Sequence, residues 1–348
     1  MKMLLTPQQE AARYCQPSAF VAGEEGRHDL GPFEFESGEH LQQLTVGFVT
    51  HGKLNAAADN AVLLLPGTTN TRHSGDGYIG PGKAFDPERH FIIAIEAIGA
   101  GTSSKPSDAL AERFPRYNIR DLVRAQKIMV SERFGLSRLA VAGSSMGAFQ
   151  ALEWAIGHPG MVHSAVLIAP AARAGTVFRN VVGLIQEVLQ LDPHWTDALP
   201  DMRELVALRT AVKLYFPWTV SDAYLERMPL PLIDLEIQSA IARSEQWHPW
   251  DYVRRYQASA SHDVSLPFNG DMKNALSQVR ARTLVMPMSS ERLLGSGSGA
   301  ELAQLIPTAR VVSVPTDRGH LGWRALEGAP ESEVINRQIS QFLKETHP

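Results

Sequence analysis

Five residues near the middle of the chain have the spacing of a nucleophilic serine on a tight turn. The run Gly143-Ser144-Ser145-Met146-Gly147 matches G-x-S-x-G and lies between a short apolar run, Leu139–Ala142, and a segment with helical spacing. A chain that passes this sharply from strand to helix needs small residues beside the serine, and the turn raises the hydroxyl above the sheet. The alternative is an ordinary glycine-rich turn with a serine cap. The context favours Ser145 as the nucleophile of covalent acyl chemistry.

A serine hydroxyl is hardly ionised near neutral pH, so it needs a general base, and the base needs a carboxylate that fixes its tautomer. His320 follows the last predicted strand, where that base belongs, and is the only one of twelve histidines there; the alternative is a surface loop histidine. Glu291 is the first acid after the preceding strand, Thr283–Met286, and we predict that it is the carboxylate that fixes the tautomer of His320. Three other acids could serve in its place: Asp317, Asp263 and Asp271.

Attack of a serine on an acyl carbon creates an oxyanion, which needs two backbone N–H donors. We predict the N–H of Met146, directly after the serine, as the first donor. The second donor should come from the loop after Ala61–Leu65, which reads Pro66-Gly67-Thr68-Thr69-Asn70, and we choose Thr68. The alternative for this loop is a simple turn without a catalytic role.

The elements that would carry these residues alternate between strands and helices. Short apolar runs separated by helical segments need crossover connections, so they predict a mostly parallel sheet. Asn118 should cap one helix, which should end at Gly135. The predicted strands are Leu44–Val49, Ala61–Leu65, Phe91–Ile95, Leu139–Ala142, Ala165–Ala169, Thr283–Met286 and Arg310–Val314. The last helix should bury one face, formed by Val334, Ile335, Ile339, Phe342 and Leu343.

The alternation of strands and helices stops between about Arg173 and Val279. Helical stretches such as Val177–Leu191 and Met202–Tyr215 follow one another there without a convincing strand. A sheet interrupted by a helical insertion explains the length of 348 residues better than two consecutive domains do. We therefore predict an α/β core in residues 1–172 and 281–348, with a helical lid in residues 173–280.

The composition argues against several classes of protein. With 33 Lys and Arg against 37 Asp and Glu, the chain lacks the basic excess of a nucleic-acid binder. The single cysteine, Cys15, cannot form an internal disulfide or a cysteine cage for a metal, and His73 with Asp76 is too sparse for a metal site. Residues 1–7 lack the apolar core of a signal peptide, and no apolar run is long enough to span a bilayer. We predict a cytoplasmic protein that needs no cofactor and binds neither nucleic acid nor membrane.

With these residues in place, the chain resembles the homoserine O-acetyltransferase family of α/β-hydrolases. The resemblance covers most of the chain outside the predicted insertion. It is carried by Phe48–Asn55, Ile79–Asp86, Phe114-Pro115, Ile119–Arg124 with Gln126, and Ser145–Gly147 with Gln150–Ala155. It implies an α/β-hydrolase fold, an acyl-enzyme on Ser145, a lid over the site and a homodimer joined through lid helices.

Departures from the family pattern bear on the substrate. The family has a histidine-alanine-leucine-threonine-glycine oxyanion loop where this chain has Pro66–Asn70, and glycines where Ser144 and Ala148 stand. Leu321 occupies the place of the aspartate that recognises the amino group of homoserine, and a leucine cannot pair with an ammonium group. Arg209 lies near the place of the family's carboxylate-binding arginine; the alternative is a solvated helix arginine.

We considered four candidate functions, and the sequence argues against two of them. We favour a hydrolase of short acyl esters, acetates above all; the alternative is an O-acetyltransferase that moves acetyl from acetyl-CoA to homoserine or another alcohol. Both reactions use the same serine, histidine and acid, so those residues cannot separate them. An inactive scaffold is disfavoured because Ser145, Glu291 and His320 are all present. Nucleotide binding at Gly295–Gly299 is disfavoured because these glycines do not open a strand-to-helix unit.

Overall fold

The computed structural model describes residues 6–15, 20–197 and 200–346. Residues 1–5, on which part of the signal-peptide prediction rests, lie outside the described residues. The strands are β1 Glu24–Asp29, β2 Phe33–Glu34, β3 His40–Leu41, β4 Thr45–His51, β5 Ala61–Leu65, β6 Phe91–Ile95, β7 Leu139–Ser144, β8 Val162–Ile168, β9 Arg282–Met286 and β10 Ala309–Val311. The α-helices are α1 Pro7–Tyr14, α2 Ile119–Phe134, α3 Met146–Gly157, α4 Thr176–Gln190, α5 Val206–Thr219, α6 Asp222–Arg227, α7 Leu230–Ser244, α8 Pro249–Ala260, α9 Met272–Ser277, α10 Ser298–Leu305 and α11 Pro330–Thr346. No helix in the described part of the chain is both long and apolar enough to cross a membrane.

Eight strands form one sheet in the order β1-β4-β6-β5-β7-β8-β9-β10. Strand β4 is antiparallel to both of its neighbours, and the strands from β6 to β10 run parallel. This is the predicted mostly parallel α/β sheet. Because parallel strands end at the same edge, the loops after β5, β7, β9 and β10 lie close together at that edge.

Both faces of the sheet are buried. Along β5, Leu63 faces one core cluster, while Val62 and Leu64 face the other. The second cluster is closed by α11, whose predicted apolar face is confirmed at four positions: Ile335, Ile339, Phe342 and Leu343. Helix α2 also begins and ends as predicted, since the Asn118 side chain accepts a hydrogen bond from the N–H of Asp121 and Gly135 adopts φ 64°.

Two edge strands differ from the sequence prediction. Strand β1 was not predicted, because its residues Glu24–Asp29 are mostly polar and half-exposed and show no apolar alternation. Strand β10 is shorter than the predicted Arg310–Val314. It pairs only with β9, and beyond Val311 the chain keeps single contacts, such as the bridge between Val314 and Met288.

Six helices, α4–α9, fill the chain between β8 and β9, and we call them the helical insertion. The described residues of this segment contain no strand, in agreement with the sequence pattern. The helix predicted over Met202–Tyr215 begins at Val206 and continues to Thr219 with Pro217 in its last turn. A proline lacks the backbone N–H, so Pro217 removes one hydrogen bond of the helix. The cost is small in the last turn, because the carbonyl groups at the carboxyl end of a helix lack helical partners in any case. The division at residues 173 and 280 into core and lid stays a prediction.

Glu153 on α3 should make stability depend on pH. Burial raises its pKa to about 8, and the nearest cation, Arg120, lies 3.8 Å away. The folded protein therefore holds a proton that the unfolded chain releases, so stability should fall by about 1.4 kcal/mol per pH unit between the unfolded and folded pKa values. Glu153→Gln should remove this decline, and urea unfolding at pH 5 and pH 8 measures it. The exposed Glu187→Gln is the control. If the free energy of unfolding falls equally between pH 5 and pH 8 in Glu153→Gln and in Glu187→Gln, Glu153 is not the cause of the pH dependence.

Candidate active site

Ser145 lies on the turn between β7 and α3 in a strained backbone conformation. Its φ is 57° and its ψ is −122°, a conformation that side chains rarely adopt. The flanking glycines make the turn possible: a Cβ on Gly143 would lie 2.3 Å from the carbonyl carbon of Gly147, and a Cβ on Gly147 would lie 2.1 Å from the carbonyl oxygen of Leu65. The G-x-S-x-G spacing is therefore a steric requirement of this turn.

The three residues predicted to act together are in contact. His320 Nε2 lies 2.9 Å from Ser145 Oγ, and His320 Nδ1 lies 2.6 Å from Glu291 Oε2. His320 comes from the turn after β10 and Glu291 from the loop after β9, so the sheet edge brings the three together from distant parts of the chain. Their hydrogen bonds allow a proton to pass from the serine to the histidine while the carboxylate faces the other ring nitrogen.

Glu291 is held as a carboxylate although it is almost fully buried. Burial raises its pKa, but the charge and hydrogen bond of His320 outweigh that effect and hold the pKa below its ordinary value. The N–H groups of Leu293 and Leu294 add to this by donating to Glu291 Oε1 at 2.9 and 3.1 Å. Buried and hydrogen-bonded on both oxygens, Glu291 can stabilise a positive charge on His320.

The other three acids are engaged elsewhere. Asp317 forms an ion pair with Arg227 at 2.7 Å. Asp263 accepts hydrogen bonds from Ser265, and Asp271 caps α9. Of the four candidate acids, Glu291 is the one in contact with His320.

The two predicted oxyanion donors belong to residues near Ser145 in the chain or in the cavity. Met146 is the first residue of α3, where an N–H group has no intrahelical acceptor. Thr68 lines the same cavity as Ser145, and its side chain is fixed by a 2.8 Å hydrogen bond to Ser259 of the helical insertion. Among the described backbone hydrogen bonds, neither N–H has a carbonyl acceptor. The assignment of both groups as oxyanion donors stays a prediction.

Arg255 holds the loop that carries Thr68. This fully buried residue of α8 donates to the carbonyl oxygens of Thr68 at 2.8 Å, Gly67 at 2.6 Å and Asn70 at 3.2 Å. A guanidinium group that binds three carbonyls of one loop fixes the directions of its peptide planes, and therefore those of its N–H groups. Nothing in the sequence distinguishes Arg255 from an ordinary helix arginine.

Arg255→Lys should lower kcat by about 10²-fold and leave KM almost unchanged, because the loop that carries Thr68 shifts while most of the cavity wall stays in place. Steady-state kinetics on an activated acetate ester measures the two constants. The matched control is Arg254→Lys on the same helix, since Arg254 contacts Glu112 and Gln257 and not the loop. A similar loss in both variants, or a rise in KM alone, would speak against a positioning role for Arg255.

Ser145 and His320 open onto a cavity of about 150 Å³ between the sheet edge and the helical insertion. Seven of its lining residues are Phe, Tyr or Trp, with three tyrosines among them, and the predicted position Leu321 also lies there. Acidic residues are absent from the described residues that line it, which are Thr68, Thr69, Asn70, Ser145, Phe178, Val212, Tyr215, Phe216, Thr219, Ala240, Arg243, Ser244, Trp247, Tyr252, Tyr256, Leu293, His320, Leu321, Trp323 and Arg324.

Arg209 is not brought to this cavity. It lies on a solvent-facing side of α5, more than half exposed, and its guanidinium contacts Gln238 at 3.3 Å and Glu245 at 3.8 Å. The residues of α5 that line the cavity are Val212, Tyr215, Phe216 and Thr219. The geometry therefore does not support the predicted substrate-binding role of Arg209. Within the described residues no cluster of His, Cys, Asp or Glu has the arrangement of a metal site.

Comparison with known proteins agrees with this architecture. A family model described as the α/β-hydrolase fold matches residues 60–321. The chain belongs to the α/β-hydrolase family. It is 32% identical to a homoserine O-acetyltransferase of Trichormus variabilis, over 90% of this chain and 93% of that protein. The predicted resemblance to the homoserine O-acetyltransferase family is thereby confirmed.

Relatives with hydrolase names are almost as similar. An ethyl acetate hydrolase of Pseudomonas veronii is 29% identical over 84% of this chain and 88% of that protein. Among solved structures, the acetyl esterase MekB superposes with a TM-score of 0.87 at 26% identity, over 92% of this chain and 97% of that one. The relatives of this α/β-hydrolase therefore include both transferases and esterases.

Proposed function

We propose that this α/β-hydrolase is a serine-dependent carboxylic ester hydrolase that cleaves short acyl esters, acetates above all, through an acyl-enzyme on Ser145. The observation that carries the proposal is the continuous contact from Ser145 Oγ through the His320 ring to Glu291. The ester hydrolases among its relatives support it further.

In the first half of the reaction, His320 Nε2 takes the proton of Ser145 Oγ as that oxygen attacks the acyl carbon. The carbonyl oxygen becomes an oxyanion, and we assign its two donors to the N–H groups of Met146 and Thr68. The carbon–oxygen bond to the alcohol then breaks, and the alcohol leaves with the proton from His320. The product is an acyl ester of Ser145 beside a neutral imidazole.

In the second half, water replaces the alcohol. His320 takes a proton from water as the water oxygen attacks the acyl carbon, and the proton passes to Ser145 Oγ when the ester bond to the enzyme breaks. Glu291 keeps its negative charge throughout and stabilises the positive imidazole at each proton transfer. The carboxylic acid leaves, and the free serine is restored.

The choice between hydrolase and transferase rests on the cavity. Transfer to homoserine would bring an ammonium group into a site whose described walls hold Leu321 and no acidic residue. An ammonium buried without a partner costs several kcal/mol, so homoserine should bind poorly. The small volume and bulky walls favour a short acyl group. The alternative is an O-acetyltransferase that uses acetyl-CoA, as the name of the Trichormus variabilis relative suggests.

Two assays on the same preparation test the proposal. The purified protein should hydrolyse 4-nitrophenyl acetate in buffer alone, and homoserine should not accelerate release of the nitrophenol. With acetyl-CoA and homoserine, little O-acetylhomoserine should form. Strict dependence on homoserine with acetyl-CoA would overturn the hydrolase in favour of the transferase. The predicted homodimer through lid helices and the cytoplasmic location stay predictions.

A further inference from the structure

Two arginines that the proposed reaction does not use face the cavity beside Ser145. Arg243 comes from α7 of the helical insertion, and Arg324 directly follows the turn that carries His320. Each guanidinium makes a single hydrogen bond within the described residues, Arg243 to Ser239 Oγ at 2.6 Å and Arg324 to the carbonyl oxygen of Tyr14 at 2.8 Å. An arginine carries five N–H donors, so both groups have donors left for a ligand.

No carboxylate in the described structure pairs with either arginine. The charge of Glu236 acts on both arginines, but Arg318 already binds this carboxylate with two hydrogen bonds of 3.0 and 2.9 Å. Tyr224 donates to the same carboxylate. The single carboxylate charge of Glu236 therefore acts on the guanidinium groups of Arg243, Arg318 and Arg324. The net charge of these four side chains is positive.

The two charges are held in an unfavourable state. Burial lowers the pKa of Arg243. Burial, together with repulsion from Arg243 and Arg318, lowers the pKa of Arg324 to about 10. Both remain charged at neutral pH, and both are only partly exposed to water. A partly buried cation without a counter-ion loses hydration that nothing replaces. An anion that enters the cavity would relieve this cost, and the guanidinium fork is suited to carboxylate and phosphate oxygens.

The position of Arg324 indicates which half of the ester carries the anion. It lies four residues after His320, at the end of the same short helical turn. In the proposed reaction the leaving alcohol takes its proton from His320, so the alcohol half lies on the imidazole side of the acyl carbon. On the basis of this proximity in the chain, we assign a negative group near Arg324 to the alcohol half.

We propose that Arg243 and Arg324 form an anion subsite, and that the preferred substrates are short acyl esters of alcohols that carry a carboxylate or phosphate group. This inference rests on the proposed function, because it assigns the alcohol half of the same substrate. It also explains why the described residues that line the cavity include two arginines and no acidic residue.

The test compares three acetate esters that differ in one substituent: 4-acetoxybenzoate, 4-acetoxyphenyl phosphate and the neutral methyl 4-acetoxybenzoate. Arg243→Gln and Arg324→Gln should each lower kcat/KM for an anionic ester by about 10- to 100-fold, mainly through KM, as expected when one charged hydrogen-bonding group is lost. The methyl ester should change by no more than about twofold. The benzoate and the phosphate show which anion is preferred.

Arg282→Gln is the matched control, since it removes the same charge at the start of β9, the end of that strand away from the active site, where Arg282 pairs with Glu345. Mono-4-nitrophenyl succinate carries its carboxylate on the acyl half and should be insensitive to both variants. If Arg324→Gln fails to fold because it loses its bond to Tyr14, Arg243→Gln carries the test alone.

Three results would overturn the subsite. The kcat/KM for anionic esters could be unchanged in every folded variant, or it could fall equally for the methyl ester. The third result is a loss of kcat/KM for the succinate ester alone. Failure of the proposed function has a different signature. In that case the wild-type protein would hydrolyse none of the esters. A fluorophosphonate would still label Ser145 in the alternative transferase, and would leave it unlabelled if Ser145 is not a nucleophile.

Discussion

Replacing Ser145 with alanine is expected to lower kcat for hydrolysis of 4-nitrophenyl acetate by about 10⁴-fold or more. Without the hydroxyl no acyl-enzyme can form, and His320 has only water to activate. The residual rate should reflect substrate binding and the oxyanion donors alone. Steady-state release of 4-nitrophenol measures the loss, and circular dichroism with thermal melting checks that the fold is kept.

The neighbouring Ser144 provides the control for that change. It is the last residue of β7, and Ser144→Ala removes the same atom one position away without touching His320. This variant should keep kcat within a few-fold of the wild type. If Ser145→Ala retains activity, or if both variants lose it equally, the assignment of the nucleophile is wrong.

Glu291→Gln is expected to lower kcat by about 10³- to 10⁴-fold with little change in KM. The amide keeps the volume of the acid but not its charge, and it can present an N–H to His320 Nδ1 and so stabilise the wrong tautomer. Because the pKa of Glu291 lies below its ordinary value, the wild-type carboxylate should stay ionised throughout the pH range near neutrality. Kinetics between pH 6 and pH 9 should therefore show the loss at every pH.

The alternative acid Asp317 serves as the comparison for that variant. Asp317→Asn breaks only the exposed pair with Arg227 and should change kcat by no more than a few-fold. A large loss in Asp317→Asn together with a small loss in Glu291→Gln would reverse the assignment of the acid.

The features that could be predicted from the sequence are those set by local sterics or by chain order. The spacing of Gly143 and Gly147 is a packing requirement of one turn, and the Asn118 cap is a contact within four residues. His320 and Glu291 were predicted because successive loops of a parallel sheet meet at one edge. The contact of His320 with Ser145 and of Glu291 with His320 agrees with that expectation, and their catalytic roles remain proposals.

The features that could not be predicted depend on contacts between distant segments. Arg255 reaches a loop almost 190 positions earlier in the chain, and no periodicity or spacing indicates that contact. Arg209 and Arg243 are both insertion arginines, yet one faces solvent and the other the cavity, because helix orientation is set by packing of the whole insertion. Strand β1 was missed because an exposed, mostly polar edge strand carries no hydrophobic signal.

Capture of the acyl-enzyme tests the central claim most directly. The protein is mixed with excess 4-nitrophenyl acetate, quenched in acid within the first turnover, digested and measured by mass spectrometry. We predict one acetyl group on the peptide that contains Ser145, formed as fast as the first 4-nitrophenol is released and absent from Ser145→Ala. Full hydrolytic activity with no acetylated peptide at any quench time, or with the acetyl group on another residue, would contradict it.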